Sequence, residues 1–274
     1  IGLRTFDSFN LALTLISSGG FLPFNDISIV LNTDLKKIIF STLMLISFFS
    51  IFFIYNLILF KNRDKNFFYE DYNLLVYVIV LVLVFLFFFG YNNDFINIIF
   101  SIFSSISNIG IALNNEFINL QFIFLLLVII GGSFFSTSSG LRFIRIYSLI
   151  KFSLNQILSF SKPRNIFMNR LLFSKTNFEI NEINKYFLSI TIFIISLVVL
   201  TSLVAFSGID FEQCLKISIL TLMNTVNSSI YGIDDFDFQN INYFTKYSLI
   251  LFMIVGRIEL LTLLLIIKKY LFKN

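Results

Sequence analysis

The residues of this chain with chemistry to offer are small, polar and gathered in turns. Three short apolar stretches, 7–18, 95–107 and 211–223, each run into one: Ser17-Ser18-Gly19-Gly20, Ser107-Asn108-Ile109-Gly110 and Asn224-Thr225-Val226-Asn227. In such a turn, backbone carbonyl oxygens can take the place of a cation's water shell, and glycine permits the dihedrals that aim them. A half-helix ending at the turn points its negative dipole end at the same place. Two further polar features interrupt apolar sequence. One is the run from Gly131, Gly132 and Ser133 through Phe134, Phe135, Ser136 and Thr137 to Gly140 and Arg142; the other is Arg257, about 12 residues into the last apolar stretch. A charge at that depth is costly and normally faces a polar interior. The chain has no His and one cysteine, Cys214. This excludes His-based acid–base catalysis, Ser-His triads, His-ligated metals and intrachain disulfides. The membrane-depth residues offer no cysteine cluster and no paired carboxylates, so the sequence reads as no enzyme.

The elements that must position these turns follow from hydropathy. Of 274 residues, 57% are hydrophobic and 13% charged, against about 45–50% and about 25% in soluble domains; mean hydropathy is +0.88. There are too few charges to coat a soluble surface, and the deficit runs the length of the chain. About 20 apolar residues cross a bilayer, whereas 10–14 more often mark a re-entrant piece. On that scale 38–60, 72–90, 186–207 and about 245–267 are spans, and 7–18, 95–107 and 211–223 are re-entrant half-helices. The stretch from 119 to about 160 begins with only about 18 Å of helix before its Gly/Ser run, too short to cross, so it is expected to be a span broken at 131–140. The short pieces open on Asp7, Asp94 and Asp210, acids suited to a first helical turn. The resulting unit of span, half-helix, turn and span occurs whole at 72–160 and 186–271 and as a second half at 7–60, with equivalent turn positions at 20, 110 and 227. Repetition at this scale points to a pseudo-symmetric membrane assembly.

Charge sets the orientation. With the turns facing outward, the segments 61–71, 142–185 and 268–274 hold 14 of the 20 Lys and Arg, and ten of the 16 Asp and Glu lie outside, among them Asp234, Asp235 and Asp237. That agrees with the positive-inside rule. The net charge of +4 therefore expresses topology and not nucleic-acid binding. Trp is absent, and Tyr72, Tyr91, Tyr186 and Tyr247 near the span ends supply the interfacial aromatic belt. The first residue is Ile1 and no signal-peptide layout follows, so the chain is read as a fragment.

These motifs, in this order, resemble the TrkH/KtrB/HKT superfamily of K⁺ or Na⁺ transporters, and among them most of all the bacterial TrkH type. Thr14 to Phe21 looks like the family's second filter and Ser104 to Gly110 like its third. The 131–142 run resembles the loop that breaks the second span of unit three, and Gly256-Arg257-Ile258-Glu259 the signature of the final span. The resemblance implies an all-α polytopic membrane protein of span–pore-helix–span repeats around a pseudo-fourfold pore, lacking the first repeat and the start of the second. Residues 1–60 would be the second half of repeat two, 61–160 repeat three, 161–185 a cytoplasmic loop and 186–274 repeat four. It further implies an ion filter at Ser18, Gly19, Gly20, Asn108, Ile109, Gly110, Val226 and Asn227, where K⁺ or Na⁺ would bind. A gate is implied at Gly131, Gly132, Ser133, Ser136, Thr137, Gly140 and Arg257, with Phe134 and Phe135 in place of smaller residues. No cofactor is implied beyond the transported ion. The implied partners are a TrkA-like cytosolic nucleotide-binding subunit, membrane lipid and a second copy in a homodimer, in the bacterial cytoplasmic membrane.

The residues also admit other readings. Asn227 stands where the family's fourth filter has glycine; asparagine enters left-handed conformations more easily than most residues, and K⁺/Na⁺ selectivity would be relaxed. A secondary transporter with discontinuous helices would bind a small solute near 131–140. A non-conducting paralogue is a third reading. The basic residues Arg142, Arg145, Lys151, Lys162, Arg164, Arg170 and Lys175 read as topology determinants, or as a docking surface for a cytosolic subunit or anionic lipid. Arg257 reads either as a pore-facing charge or as a structural arginine satisfying helix-end carbonyls.

Overall fold

The computed structural model describes residues 4–23, 27–59, 68–89, 95–113, 120–160, 180–233, 238, 241–258 and 269–270. Tyr91, Asp94, Lys162, Arg164, Arg170, Lys175, Glu259 and the acidic group Asp234, Asp235 and Asp237 lie outside the described residues. Among the described residues, ten α-helices in chain order are α1 Thr5–Ser17, α2 Asp34–Phe48, α3 Ile51–Ile58, α4 Tyr69–Phe89, α5 Phe95–Ile106, α6 Gln121–Ile129, α7 Phe143–Ser159, α8 Ile180–Ala205, α9 Phe211–Met223 and α10 Tyr243–Ile258. Two short strands, β1 Ile130–Gly131 and β2 Leu141–Arg142, pair in parallel and form the neck of the 132–140 loop.

Among the described residues, two helices, α4 and α8, are long and apolar enough to cross a membrane unbroken. Their many exposed Val, Leu, Ile and Phe side chains suit a surface that faces lipid, where an apolar exterior carries no penalty. The core is instead built around the short helices. α5 buries nearly its whole circumference, including Ser101, Ser104 and Ser105, and α9 is buried from Ile217 to Met223. Around them pack Phe40, Met44 and Phe48 of α2, Phe124 and Val128 of α6, and Leu200 and Val204 of α8. Three of the buried serines satisfy themselves locally: Ser101, Ser105 and Ser218 each donate to the carbonyl four residues back.

Sequence and structure part company in three places. The expected span 38–60 is two helices, parted at Phe49 and Ser50, both in extended conformation. No proline or glycine marks this break, and its cause is tertiary, as described below. The span expected from 72 begins at Tyr69, so Glu70 and Asp71 stand in its first turn instead of in a loop. The span expected from 186 begins at Ile180, because Ile183 is buried while Glu182 and Lys185 stay on the exposed side, an amphipathic start that hydropathy alone averages away.

Candidate functional site

The three half-helices end in the same way. Ser18, Asn108 and Asn224 take left-handed conformations with φ of 48°, 59° and 52°. Their amides donate to Leu15, Ser105 and Thr221, and the next amides, of Gly19, Ile109 and Thr225, donate to Thr14, Ser104 and Leu220. This pair of bonds is the Schellman ending, which satisfies carbonyls otherwise left open at a helix C-terminus. It aligns the three helix ends residue by residue. Two positions beyond the left-handed residue come Gly20 and Gly110, with φ of 70° and 77°. Counted from the helix end, that position in the third turn is Val226. The contacts between turns instead match Val226 with Ile109, since Gly20 seats against the Ile109 carbonyl and Gly110 against that of Val226. This leaves Asn227 in line with the glycines, one residue further from its helix. Neither Val226 nor Asn227 has a positive φ. The left-handed asparagine of this turn is Asn224, whose Nδ2 donates to the Met253 carbonyl at 3.0 Å.

The same register uncovers a second difference. Thr14 Oγ1 donates to the carbonyl of Phe21, and Ser104 Oγ to that of Ile111 at 2.9 Å: in both turns a hydroxyl ties the outgoing strand back to its helix. The counterpart in the third turn is Leu220, which has no hydroxyl to give. The third turn therefore lacks both the glycine and the tether.

The turns meet. A Cβ on Gly20 would stand 2.0 Å from the Ile109 carbonyl oxygen and 2.6 Å from Val226 Cγ2, and one on Gly110 would stand 2.6 Å from the Val226 carbonyl oxygen. Asn108 is fully buried; its Nδ2 donates to the Met223 carbonyl at 3.2 Å, and its Oδ1 has no partner. Ser18, Gly20, Asn108, Ile109, Gly110 and Val226 are thus brought to one point, with Gly19 and Asn227 beside them. Between the first and third turns lies a cleft of about 430 Å³, lined by Ser17, Ser18, Gly19, Phe21, Asn224, Met253 and Arg257 among others.

The second group of residues assembles against this point. The loop from Gly132 to Gly140 lies where the chain parts between α6 and α7, and it pairs with the break between α2 and α3. Ser133 N–H donates to Phe48 O at 3.0 Å, Ser138 N–H to Ser47 O at 3.0 Å, and Ile51 N–H to Phe135 O at 3.3 Å. Each break thus satisfies the other's freed backbone groups, as non-helical chain at membrane depth requires. The approach is close: a Cβ on Gly132 would stand 2.2 Å from the Phe48 carbonyl oxygen. Ser18 Oγ donates to Thr137 O at 3.0 Å, which joins the loop to the first turn. Phe135 packs edge-on against Phe52 with ring centroids 5.3 Å apart.

Arg257 joins the loop and the first turn as well. Nη1 donates to Ser139 Oγ at 3.0 Å and contacts Ser18 Oγ at 3.4 Å, while Nη2 donates to Ser17 O at 3.0 Å. It therefore caps the end of α1, the structural role, and also touches the loop. Arg142, read from sequence as a topology charge, does more than that. Its Nη1 lies 3.1 Å from Ser133 O, 3.1 Å from Ser138 O and 3.2 Å from Ser136 Oγ, and so holds the loop from within. Removing it strands buried acceptors at about 1–3 kcal/mol each. Arg142→Met is expected to destabilise the protein by about 2–4 kcal/mol, read as a lowered thermal unfolding midpoint in detergent. The sequence signal for this role was its place directly after the loop it holds.

Sequence comparison gives no support from relatives: no protein-family model matches the chain, and no curated protein matches it. Structural comparison does find a likeness. The chain superposes on the crystal structure of the potassium transporter TrkH from Vibrio parahaemolyticus with a TM-score of 0.79 over 97% of its length, at 19% sequence identity. It spans 58% of that transporter's length. The chain therefore has the fold of a helical membrane transporter, and its described residues are all-α but for the short β1–β2 pair.

Proposed function

We propose that this chain is the conducting part of a cation transporter, moving K⁺ inward through a path lined by the carbonyls of three turns. The observation that carries this reading is the threefold recurrence of one helix ending, with the glycines of two turns seated against carbonyls of the next. Ser18, Gly19, Gly20, Asn108, Ile109, Gly110, Val226 and Asn227 are the filter in this reading. Gly131, Gly132, Ser133, Ser136, Thr137, Gly140 and Arg257 are the gate beneath it. The repeats divide at 1–60, 61–160 and 186–274, with 161–185 on the cytosolic side. A nucleotide-binding cytosolic subunit, a second copy in a homodimer and the bacterial cytoplasmic membrane complete the picture. The fold likeness supports cation transport over transport of an organic solute. The test is rubidium uptake in a bacterium stripped of its own potassium uptake, complemented with the whole gene. Uptake that saturates with external K⁺ is the expected result; transport of an organic solute without rubidium would overturn it.

A second reading, a weakly selective or Na⁺-conducting path, is favoured by the third turn. With Asn227 in line with the glycines and Leu220 in the hydroxyl's place, one side of the filter holds its carbonyls differently from the other two. Asn227→Gly combined with Leu220→Thr is expected to raise the K⁺/Na⁺ flux ratio at least threefold. An unchanged ratio in a protein that still folds and conducts would remove the third turn as the source of weak selectivity.

A further inference from the structure

Two adjacent carboxylates have no part in the filter or in the gate as drawn so far. Glu70 and Asp71 stand in the first turn of α4, where acids commonly favour the helix dipole. Here they also bond outside their own helix. Asp71 Oδ1 accepts the N–H of Ser50, 2.9 Å away and 21 residues back, at the break between α2 and α3. Glu70 Oε1 accepts the N–H of Phe134, 2.8 Å away and 64 residues on, in the 132–140 loop. Asp71 is buried, 4% exposed. Both donors were freed by helix breaks, and a carboxylate accepting a backbone N–H makes a stronger bond than a neutral acceptor does. A cavity of about 270 Å³ adjoins both bonds, lined by Ser50, Glu70, Asp71, Phe134 and Phe135 among others.

We propose that Glu70 and Asp71 form a two-carboxylate latch that positions the gate, clamping the 49–50 break and the 132–140 loop to the start of α4. The inference rests on reading that loop as the gate. The two breaks already bond to each other, so they move as one body or not at all. The latch ties that body to a third element, whose first turn directly follows the basic segment 61–67. Movement of α4's start would draw Ser50 and Phe134 with it, and release of the two bonds would free the loop from that anchor.

The latch is tested on the full chain by thiol accessibility, which reads the loop whether or not ions flow. In a Cys214→Ala background, Thr137→Cys places a reporter in the loop and Gln213→Cys a control on the exposed start of α9. Glu70→Ala and Asp71→Ala are each expected to speed labelling at position 137 by a water-soluble methanethiosulfonate at least fivefold, with position 213 unchanged. Glu70→Gln and Asp71→Asn keep an acceptor oxygen and should label near the parent rate. Ser50→Pro removes the donor and leaves the carboxylate: Ser50 has φ −60° and ψ 135° and follows the extended Phe49, which proline tolerates. It should label as Asp71→Ala does, and it serves where Asp71→Ala fails to fold. Unchanged labelling at 137 in the Ala and Pro variants overturns the latch. So does equal acceleration at 213, which signals general loosening, or acceleration by Gln and Asn as large as by Ala. Rubidium uptake measured on the parent chain without these substitutions separates the two readings: absent uptake there, with the expected labelling in the variants, removes the transport reading and leaves the latch standing.

Discussion

Gly110→Ser should abolish cation uptake, with at least a tenfold loss expected, while the protein still reaches the membrane folded. The backbone at Gly110 is left-handed with φ of 77°, which costs a non-glycine residue about 1–2 kcal/mol. That is tolerable for folding in a protein of this size. The contact is not tolerable where it stands: a Cβ would lie 2.6 Å from the Val226 carbonyl oxygen, 2.8 Å from Thr225 Cγ2 and 3.1 Å from Val226 N. Two of these atoms are backbone and cannot swing aside as a flexible side chain would. The third turn must shift by several tenths of an ångström, and in the proposed filter a carbonyl standing in for ion hydration would lose its aim over such a distance. A tenfold loss is about 1.4 kcal/mol, a modest demand on a displaced coordination shell. The measurement is rubidium uptake normalised to membrane-inserted protein. Full uptake in Gly110→Ser would place the ion path away from the turns.

Arg257→Gln should increase cation flux, by tenfold or more if the guanidinium faces the path. The side chain holds Ser17 O, Ser18 and Ser139 together, so it brings a positive charge to the meeting of the first turn and the loop. A fixed positive charge beside a narrow path repels the cation that must pass, and poor screening by a low-dielectric surround strengthens the effect. Glutamine keeps a donor for Ser139 and removes the charge, which separates the electrostatic role from the capping one. Arg257→Ala removes both and should in addition lower stability, because the end of α1 loses a partner. Flux through Arg257→Gln equal to the parent's, in a protein of equal abundance, would leave Arg257 as a cap alone. Patch recording or uptake under a set voltage makes the comparison.

Much of this protein was legible in its sequence because bilayers impose strict rules. Apolar length separates spans from half-helices, the Lys and Arg asymmetry orients them, and Gly- and Ser-rich runs within apolar sequence mark where the backbone leaves the helix. The half-helices α1, α5 and α9, the broken span at 131–140 and the turn at Asn108 to Gly110 all follow from those rules, and all stand in the structure. At the third turn the helix end and the contacts between turns are offset by one residue, so Asn227 stands in line with the glycines but one residue further from its left-handed cap.

What tertiary structure alone decided has a common physical cause: bonds between elements far apart in the chain. The break at Phe49 and Ser50 has no local breaker, since the energy that opens it comes from the loop 80 to 90 residues later and from Asp71. Arg142 looked like any inner-side charge until the loop carbonyls were seen around it. Glu70 and Asp71 looked like residues of a cytosolic segment, and their partners lie in two other spans. Sequence by itself determined that the chain is a bundle of membrane helices with three re-entrant turns, because hydropathy, charge and chain length act locally. It left open which backbone groups those turns and breaks satisfy, because inside a membrane that is settled by whichever distant N–H or carbonyl comes within reach.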